Sequence, residues 1–105
     1  MMQIPEIQID QAKARLDHKD GIFVDIRDPD SYQAAHIPGA LHLDNGNLQE
    51  FVQNTDKQKP LVVYCYHGNR SLGAVAYLLE NGFKNVASMR GGFEAWRQVY
   101  AHLAE

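Results

Sequence analysis

The stretch LVVYCYHGNRSL, residues 61–72, joins an apolar run to the beginning of a helical pattern. The run is short and rich in β-branched side chains, which is typical of a buried strand. Apolar side chains then recur at helical spacing from Leu72 to about Asn81, where Asn-Gly ends the pattern. We therefore predict a strand, a tight loop over residues 65–71 and a helix. The chain's one cysteine, Cys65, opens that loop.

On both sides of this stretch, short apolar runs alternate with capped or amphipathic segments. The runs predict further strands at residues 22–26, 40–43 and 86–89. Helices are predicted from Asp10 to about His18, from Asp28-Pro29 to about Ala35, from Asn47, where the sequence resembles a capping box, and from Phe93. Such alternation indicates an α/β fold, a parallel sheet with helices on both faces. Ligands bind these sheets at the carboxyl ends of the strands, where Cys65 falls.

Composition excludes several other classes of protein. A length of 105 residues suffices for one core, so a single domain over residues 1–105 is expected. The net charge of -3 and the pI near 5.9 argue against a surface for nucleic acid or anionic membrane. No apolar stretch approaches the roughly 20 residues that span a bilayer, and no signal peptide is visible. One cysteine forms no internal disulfide, which fits a reducing compartment, so we expect a cytoplasmic location.

The loop contains the residue types that a reactive thiolate needs. A strand end and a helix N-terminus direct N–H groups and positive dipole at Cys65, which lowers a thiol pKa from about 8.5. Gly68 lets the loop curl so that successive N–H groups form an anion nest. Arg70 adds a fixed charge and a bidentate fork for an oxyanion, and Ser71 is expected to cap the following helix. Cys65 is therefore a candidate nucleophile.

The same residues also have simpler interpretations. A free cysteine such as Cys65 is often a buried and inert thiol, although the adjoining glycine and arginine favour the reactive interpretation. Arg70 is also suited to be the structural partner of a carboxylate such as Asp25. His67 either donates to an incoming anion or faces solvent, and Tyr66 is expected to be a wall of the pocket.

Four segments resemble, in the same order, the motifs of the rhodanese (thiosulfate sulfurtransferase) family. Cys-x-x-Gly-x-Arg-Ser at residues 65–71 resembles its active loop, and Val-Asp-Ile-Arg at residues 24–27 resembles its Asp-x-Arg strand end. Residues 32–43, Tyr-x-x-x-His-Ile-Pro-Gly-Ala-x-x-Leu, are similar to its N-terminal signature, and residues 91–96, Gly-Gly-Phe-Glu-Ala-Trp, to its C-terminal turn. The chain most resembles the small single-domain bacterial members, and it departs from them by Arg70, where a small hydroxyl residue is expected.

The resemblance implies a fold and a two-step reaction. The fold is a single rhodanese-like domain with a parallel five-stranded sheet and a motif-bearing core of about residues 17–103. In the reaction, the cysteine takes the outer sulfur of thiosulfate as a persulfide, releases sulfite, and passes the sulfur to cyanide, thioredoxin or another thiol. No cofactor or metal is implied, and the five histidines show no ligand spacing with the cysteine. The implied site consists of the catalytic Cys65, the binding loop Tyr66, His67, Gly68, Asn69, Arg70 and Ser71, and the supporting Asp25 and Arg27.

Two alternative functions stay open. Cysteine phosphatases and arsenate reductases on related folds use a Cys-x5-Arg loop, whereas here Arg70 comes one position earlier and Ser71 occupies that place. The shorter loop suits a sulfur atom better than a phosphate. The second alternative is a persulfide carrier or regulatory module for a dedicated protein partner, with thiosulfate a poor donor. Either a monomer or a homodimer is compatible with the sequence.

Residues outside the loop are expected to be mainly structural. The carboxylate of Asp25 and the guanidinium of Arg27, at a buried strand end, hold their neighbours by hydrogen bonds. His36 fixes its turn by bonding to backbone. Gly91-Gly92 turns the chain beside the same cleft, and Trp96 belongs to the core.

Overall fold

The structure, a computed structural model, describes residues 3–104. Within this range five strands alternate with five helices. The strands are β1 (Glu6–Ile7), β2 (Ile22–Asp25), β3 (Leu41–His42), β4 (Leu61–Tyr64) and β5 (Val86–Met89). The helices are α1 (Ile9–Asp17), α2 (Pro29–Ala34), α3 (Leu48–Asn54), α4 (Arg70–Glu80) and α5 (Gly92–Val99).

The five strands form one parallel sheet in the order β1-β5-β4-β2-β3. β4 lies in the middle, where Val62 pairs with Phe23 of β2 and with Ala87 of β5. Parallel neighbours need crossover connections, and the helices supply them. The predicted parallel five-stranded sheet is confirmed.

Apolar side chains pack against both faces of the sheet in two clusters. On one face the cluster includes Ala12 of α1 and Trp96 of α5, both fully buried. On the other face Val75 and Leu78 of α4 are buried against Leu61, and side chains of α3 join them. Strands buried on both faces need apolar side chains at nearly every position, which explains the continuous apolar runs. The predictions of helices on both faces and of Trp96 in the core are confirmed.

The sequence predicts the start of α2 correctly and the start of α1 incorrectly. α2 begins as predicted, because Asp28 accepts a hydrogen bond from the N–H of Ser31 at 3.1 Å and Pro29 is the first helical residue. The prediction that Asp10 caps α1 is wrong. The helix already begins at Ile9, and Gln8 is the capping residue.

The role of Asn47 and the presence of β1 both depend on contacts made in the fold, and the sequence patterns did not predict them. Asn47 precedes α3, but its side chain does not cap the helix. It accepts from the N–H of Asp44 and donates to the carbonyl of His42, both at 2.8 Å, and so closes the β3–α3 loop. β1 was not predicted from the residues themselves, because the sequence around Glu6–Ile7 contains no continuous apolar run.

The fold places one loop at the middle of the sheet's carboxyl edge. The chain leaves β4 at Cys65 and enters α4 at Arg70, between the ends of β2 and β5. This is the position at which parallel sheets bind their ligands. Among residues 3–104, no helix has the length and apolar character needed to cross a membrane.

Candidate active site

The sulfur of Cys65 is surrounded by backbone donors at the carboxyl end of β4. Its Sγ accepts hydrogen bonds from the N–H of Gly68 at 3.1 Å and from the N–H of Ser71 at 3.3 Å. We call these donors and the loop that carries them, residues 65–71, the thiolate cradle. Cys65 is only 4% exposed, so the cradle nearly encloses the sulfur. The predicted inward curl of the loop is present, and the positive end of the α4 dipole lies at the sulfur.

The cradle lowers the pKa of the Cys65 thiol. Burial is the largest influence and raises this pKa, but hydrogen bonds from the Ser71 side chain and from the N–H groups of Ser71, Gly68 and His67 outweigh it. A buried thiol in apolar surroundings would have a raised pKa instead. The lowered value favours the interpretation of Cys65 as a reactive thiol over that of an inert one.

Gly68 allows the cradle to close. Its φ of +92° lies in the left-handed region that favours glycine. A Cβ at this position would lie 2.9 Å from the backbone nitrogen of Gly91. Any other residue would therefore strain the backbone and push the loop away from the turn between β5 and α5.

The first turn of α5 holds the cradle in place through two backbone hydrogen bonds. The N–H of Phe93 donates to the carbonyl of Cys65 at 2.9 Å, and the N–H of Glu94 donates to the carbonyl of Tyr66 at 3.0 Å. Gly92 has a φ of +63°, and a Cβ there would lie 2.6 Å from the Cys65 carbonyl oxygen. These two hydrogen bonds direct the carbonyls of Cys65 and Tyr66 toward α5 and away from the sulfur. The side of the loop that faces the sulfur therefore carries N–H groups. The predicted turn at Gly91-Gly92 is present, and it also fixes the active loop.

Ser71 has a different position from the predicted one. The capping position of α4 belongs to Asn69, and Ser71 is the second helical residue, so the prediction that Ser71 caps the helix is wrong. Its Oγ lies 3.4 Å from the Cys65 Sγ and 2.7 Å from the Oγ of Ser88. Ser88 was not predicted as a site residue. Its one signal in the sequence is a hydroxyl in the otherwise apolar segment that forms β5.

Asp25 and Arg27 form a buried ion pair beside the cradle. Asp25 is fully buried and Arg27 is 6% exposed. The guanidinium donates to Asp25 at 2.7 Å and to the carbonyl of Ala35 at 2.6 Å, and it lies 4.2 Å from the ring centroid of Phe93. Burial disfavours the charged guanidinium, but Asp25 outweighs this effect and raises the pKa of Arg27. The pair ties the end of β2 to its neighbours, as the structural interpretation predicts.

The other side chains of the cradle form an exposed rim made of Tyr66, His67, Asn69 and Arg70. Tyr66 is 43% exposed, and its ring centroid lies 5.2 Å from that of His67. The alternative that Arg70 pairs with Asp25 is wrong, because Asp25 binds Arg27. The Arg70 guanidinium has no hydrogen bond or ion pair with any residue in the range 3–104, and it borders a cavity of about 340 Å³.

The remaining histidine prediction concerns the turn after α2. The Nδ1 of His36 lies 2.8 Å from the carbonyl oxygen of Tyr32, and the two rings stack at 4.0 Å. The expected contact between His36 and backbone is therefore present. In the part of the chain that the structure describes, no three His, Cys, Asp or Glu side chains are grouped so as to hold a metal ion.

Comparisons with known proteins identify the family of the chain. The model of the family described as Rhodanese-like domain matches residues 8–99. The chain is 45% identical to the thiosulfate sulfurtransferase GlpE of Pseudoalteromonas translucida (strain TAC 125) over 99% of each chain. It is 47% identical to the protein of the same name from Tolumonas auensis, covering 99% of this chain and 98% of that one.

Solved structures give the same result for the fold. The solution structure of the rhodanese-like domain of the Anabaena Alr3790 protein has a TM-score of 0.85 at 25% identity, covering 98% of this chain and 80% of that one. A Rhodopseudomonas palustris protein described as a possible tyrosine phosphatase has a TM-score of 0.79 at 31% identity, covering 90% and 80%. The family model covers most of this chain, and both GlpE relatives cover nearly all of it. The chain therefore belongs to the rhodanese-like domain family.

Proposed function

We propose that this protein is a thiosulfate sulfurtransferase that carries the transferred sulfur as a persulfide on Cys65. The observation that carries the proposal is the buried Cys65 sulfur held by the N–H groups of Gly68 and Ser71. Relatives that are 45% and 47% identical over nearly the whole chain are named for the same activity. The one free cysteine suits a reducing compartment, and we place the reaction in the cytoplasm.

In the first step the Cys65 thiolate attacks the outer sulfur of thiosulfate. A new S–S bond forms between Cys65 and that sulfur, and the S–S bond of thiosulfate breaks. Sulfite leaves with the electron pair of the broken bond. The lowered pKa of Cys65 raises the fraction of the attacking thiolate at a given pH above that of an ordinary thiol.

The cradle then stabilises the persulfide. Its outer sulfur is negatively charged and needs donors in the way that an oxyanion does. The N–H groups of Asn69 and Arg70, at the start of α4, have no intrahelical acceptor and are suited to this task. The exposed guanidinium of Arg70 is suited to bind the sulfonate oxygens of the incoming thiosulfate.

In the second step an acceptor nucleophile attacks the outer sulfur of the persulfide. Cyanide would leave as thiocyanate, and a thiol such as that of thioredoxin would leave as a persulfide. The Cys65 sulfur departs as a thiolate, taking back the electron pair of the S–S bond. The lowered pKa of Cys65 favours this step as well, because thiols of low pKa are better leaving groups.

Intact-mass spectrometry tests the proposal. The reduced protein and Cys65→Ser are each incubated with thiosulfate, and cyanide is then added. We expect one added sulfur on the wild type alone, and its loss as thiocyanate when cyanide is added. No added sulfur with thiosulfate would contradict the proposal and favour the alternative of a persulfide carrier for a dedicated partner. Hydrolysis of an aryl phosphate by the wild type would instead favour a phosphatase.

A further inference from the structure

Two serine hydroxyls form a buried chain that ends at the reactive sulfur. Ser88 lies on β5 and Ser71 lies in the first turn of α4, and both are fully buried. Their Oγ atoms are 2.7 Å apart, and the Ser71 Oγ is 3.4 Å from the Cys65 Sγ. The order of the chain is therefore Ser88, Ser71, Cys65.

The backbone of Ser88 is held rigidly. Its N–H donates to the carbonyl of Pro5 at 2.9 Å, and in the sheet Ser88 pairs with Glu6 of β1 and Val63 of β4. A strand held on both sides presents its side chain at a fixed place. The Ser88 hydroxyl is therefore held in a fixed position next to its partner, the hydroxyl of Ser71.

Counting protons fixes the direction of these hydrogen bonds. Each serine hydroxyl has one proton to donate. Ser71 Oγ is the one hydrogen-bond partner of Ser88 Oγ among residues 3–104. If Ser71 donated to Ser88, the buried proton of Ser88 would have no acceptor within that range. The Cys65 thiol donates to the Ser71 Oγ, but a thiolate has no proton and can only accept. If Ser88 donates to Ser71, the Ser71 proton is free to point at the thiolate, and both hydroxyl protons are used.

We propose that Ser88 is a positioning residue for Cys65: its hydroxyl donates to Ser71 and thereby directs the Ser71 proton to the sulfur. The Ser71 hydroxyl then donates to the thiolate and to the same sulfur atom in the persulfide. Two hydrogen bonds in a row strengthen each other when the final acceptor is charged. The proposal rests on the proposed function in one respect, which is that Cys65 is the reacting thiol.

Alkylation of Cys65 by iodoacetamide over a range of pH tests this role without any sulfur donor. The protein has a single cysteine, so the rate reports the Cys65 thiolate alone. We expect Ser88→Ala to move the midpoint of the pH profile upward and to slow alkylation about threefold at pH values below the midpoint. Ser88→Thr, which keeps a hydroxyl, should react faster than Ser88→Ala.

A double-mutant cycle separates positioning from packing. Because Ser88 acts through Ser71, the Ser88→Ala change should have no further effect on the midpoint in a Ser71→Ala background. Val86→Ala is the matched control, since Val86 is a buried apolar residue of the same strand. This control should lose stability and keep the wild-type midpoint. Circular dichroism confirms that each variant is folded.

Three results would overturn the proposal: an unchanged midpoint in Ser88→Ala, an equal change in the Ser71→Ala background, or the same change in Val86→Ala. If Ser88→Ala does not fold, the proposal is decided by Ser88→Thr in both backgrounds. A midpoint in Ser88→Thr that depends on Ser71 supports it, and one that does not depend on Ser71 contradicts it. The alkylation rate can be measured even if thiosulfate is not the donor. Failure of the proposed function would appear in the mass spectrometry with thiosulfate and not in the alkylation profile.

Discussion

The N–H of Phe93 donates a hydrogen bond to the carbonyl oxygen of Cys65 at 2.9 Å. This contact joins the first turn of α5 to the residue that carries the sulfur. A carbonyl directed at a thiolate would repel it, and the contact with α5 directs the Cys65 carbonyl elsewhere. Two segments that are far apart in the chain, the cradle and the Gly91-Gly92 turn, therefore form one site.

Gly92→Ala tests this junction. The substitution puts a side chain on a backbone with φ +63° and within 2.6 Å of the Cys65 carbonyl, so we expect a loss of about 3 kcal/mol in unfolding free energy. Gly39→Ala is the matched control, because its φ is +79° and a Cβ there would meet nothing within 4 Å. It should cost only about 1 kcal/mol. Urea denaturation measures both, and equal losses would show that the clash with the loop is unimportant.

The buried pair of Asp25 and Arg27 should matter more for stability than an exposed pair. Asp25→Ala leaves the guanidinium of Arg27 buried without its charge partner, which typically costs about 3–5 kcal/mol. Asp17→Ala removes the partner of Lys13 from an exposed helical pair, and it should cost less than about 1 kcal/mol. Thermal and urea unfolding compare the two variants. Similar losses would contradict a structural role for Asp25.

Arg70 should act on the substrate and contribute little to folding. It is exposed and has no ion pair or hydrogen bond with any described residue, so Arg70→Ser should change stability by less than about 0.5 kcal/mol. The loss of a charged donor for the sulfonate should raise KM for thiosulfate about tenfold. Arg70→Lys keeps the charge without the fork and should lie in between. Steady-state kinetics measure KM for each variant. An unchanged KM in Arg70→Ser would show that Arg70 does not bind thiosulfate.

The lowered pKa of Cys65 predicts how reactivity and stability depend on pH. In the folded protein, alkylation should reach half its maximal rate at a lower pH than in urea, where an ordinary thiol has a pKa of about 8.5. A group whose folded pKa is depressed stabilises the fold above its unfolded pKa, and this contribution is lost as the pH falls through the folded pKa. The unfolding free energy of the wild type relative to Cys65→Ser should therefore rise with pH across that interval. A folded midpoint at or above the unfolded one would contradict the described cradle.

Much of the fold follows from local patterns in the sequence. The runs at β2, β4 and β5 are apolar because each strand is buried on both faces, and this makes them easy to recognise. Asp28-Pro29 begins a helix through contacts within four residues, so the sequence alone predicts it. β1 is missed because its segment has no apolar run in the sequence, and only its pairing with β5 identifies it as a strand.

In the candidate site too, some residue roles follow from the local sequence and others depend on contacts between distant segments. Cys65 and Gly68 are predictable because their roles depend on the strand, loop and helix that contain them. The position of Ser71 is not, since its hydroxyl faces Ser88, a residue 17 positions away on another strand. Likewise, the sequence predicts a turn at Gly91-Gly92, but only the fold shows that this turn packs on the carbonyls of the cradle.

A persulfide on Cys65 is tested most directly by a single-turnover reaction of the reduced protein with thiosulfate and no acceptor. Released sulfite and the intact mass of the protein are followed together, with Cys65→Ser as the control. We expect one sulfite released for each sulfur gained by the wild type, and neither sulfite nor added sulfur with Cys65→Ser. Sulfite release without a gain in mass, or an equal gain in Cys65→Ser, would contradict a persulfide on Cys65.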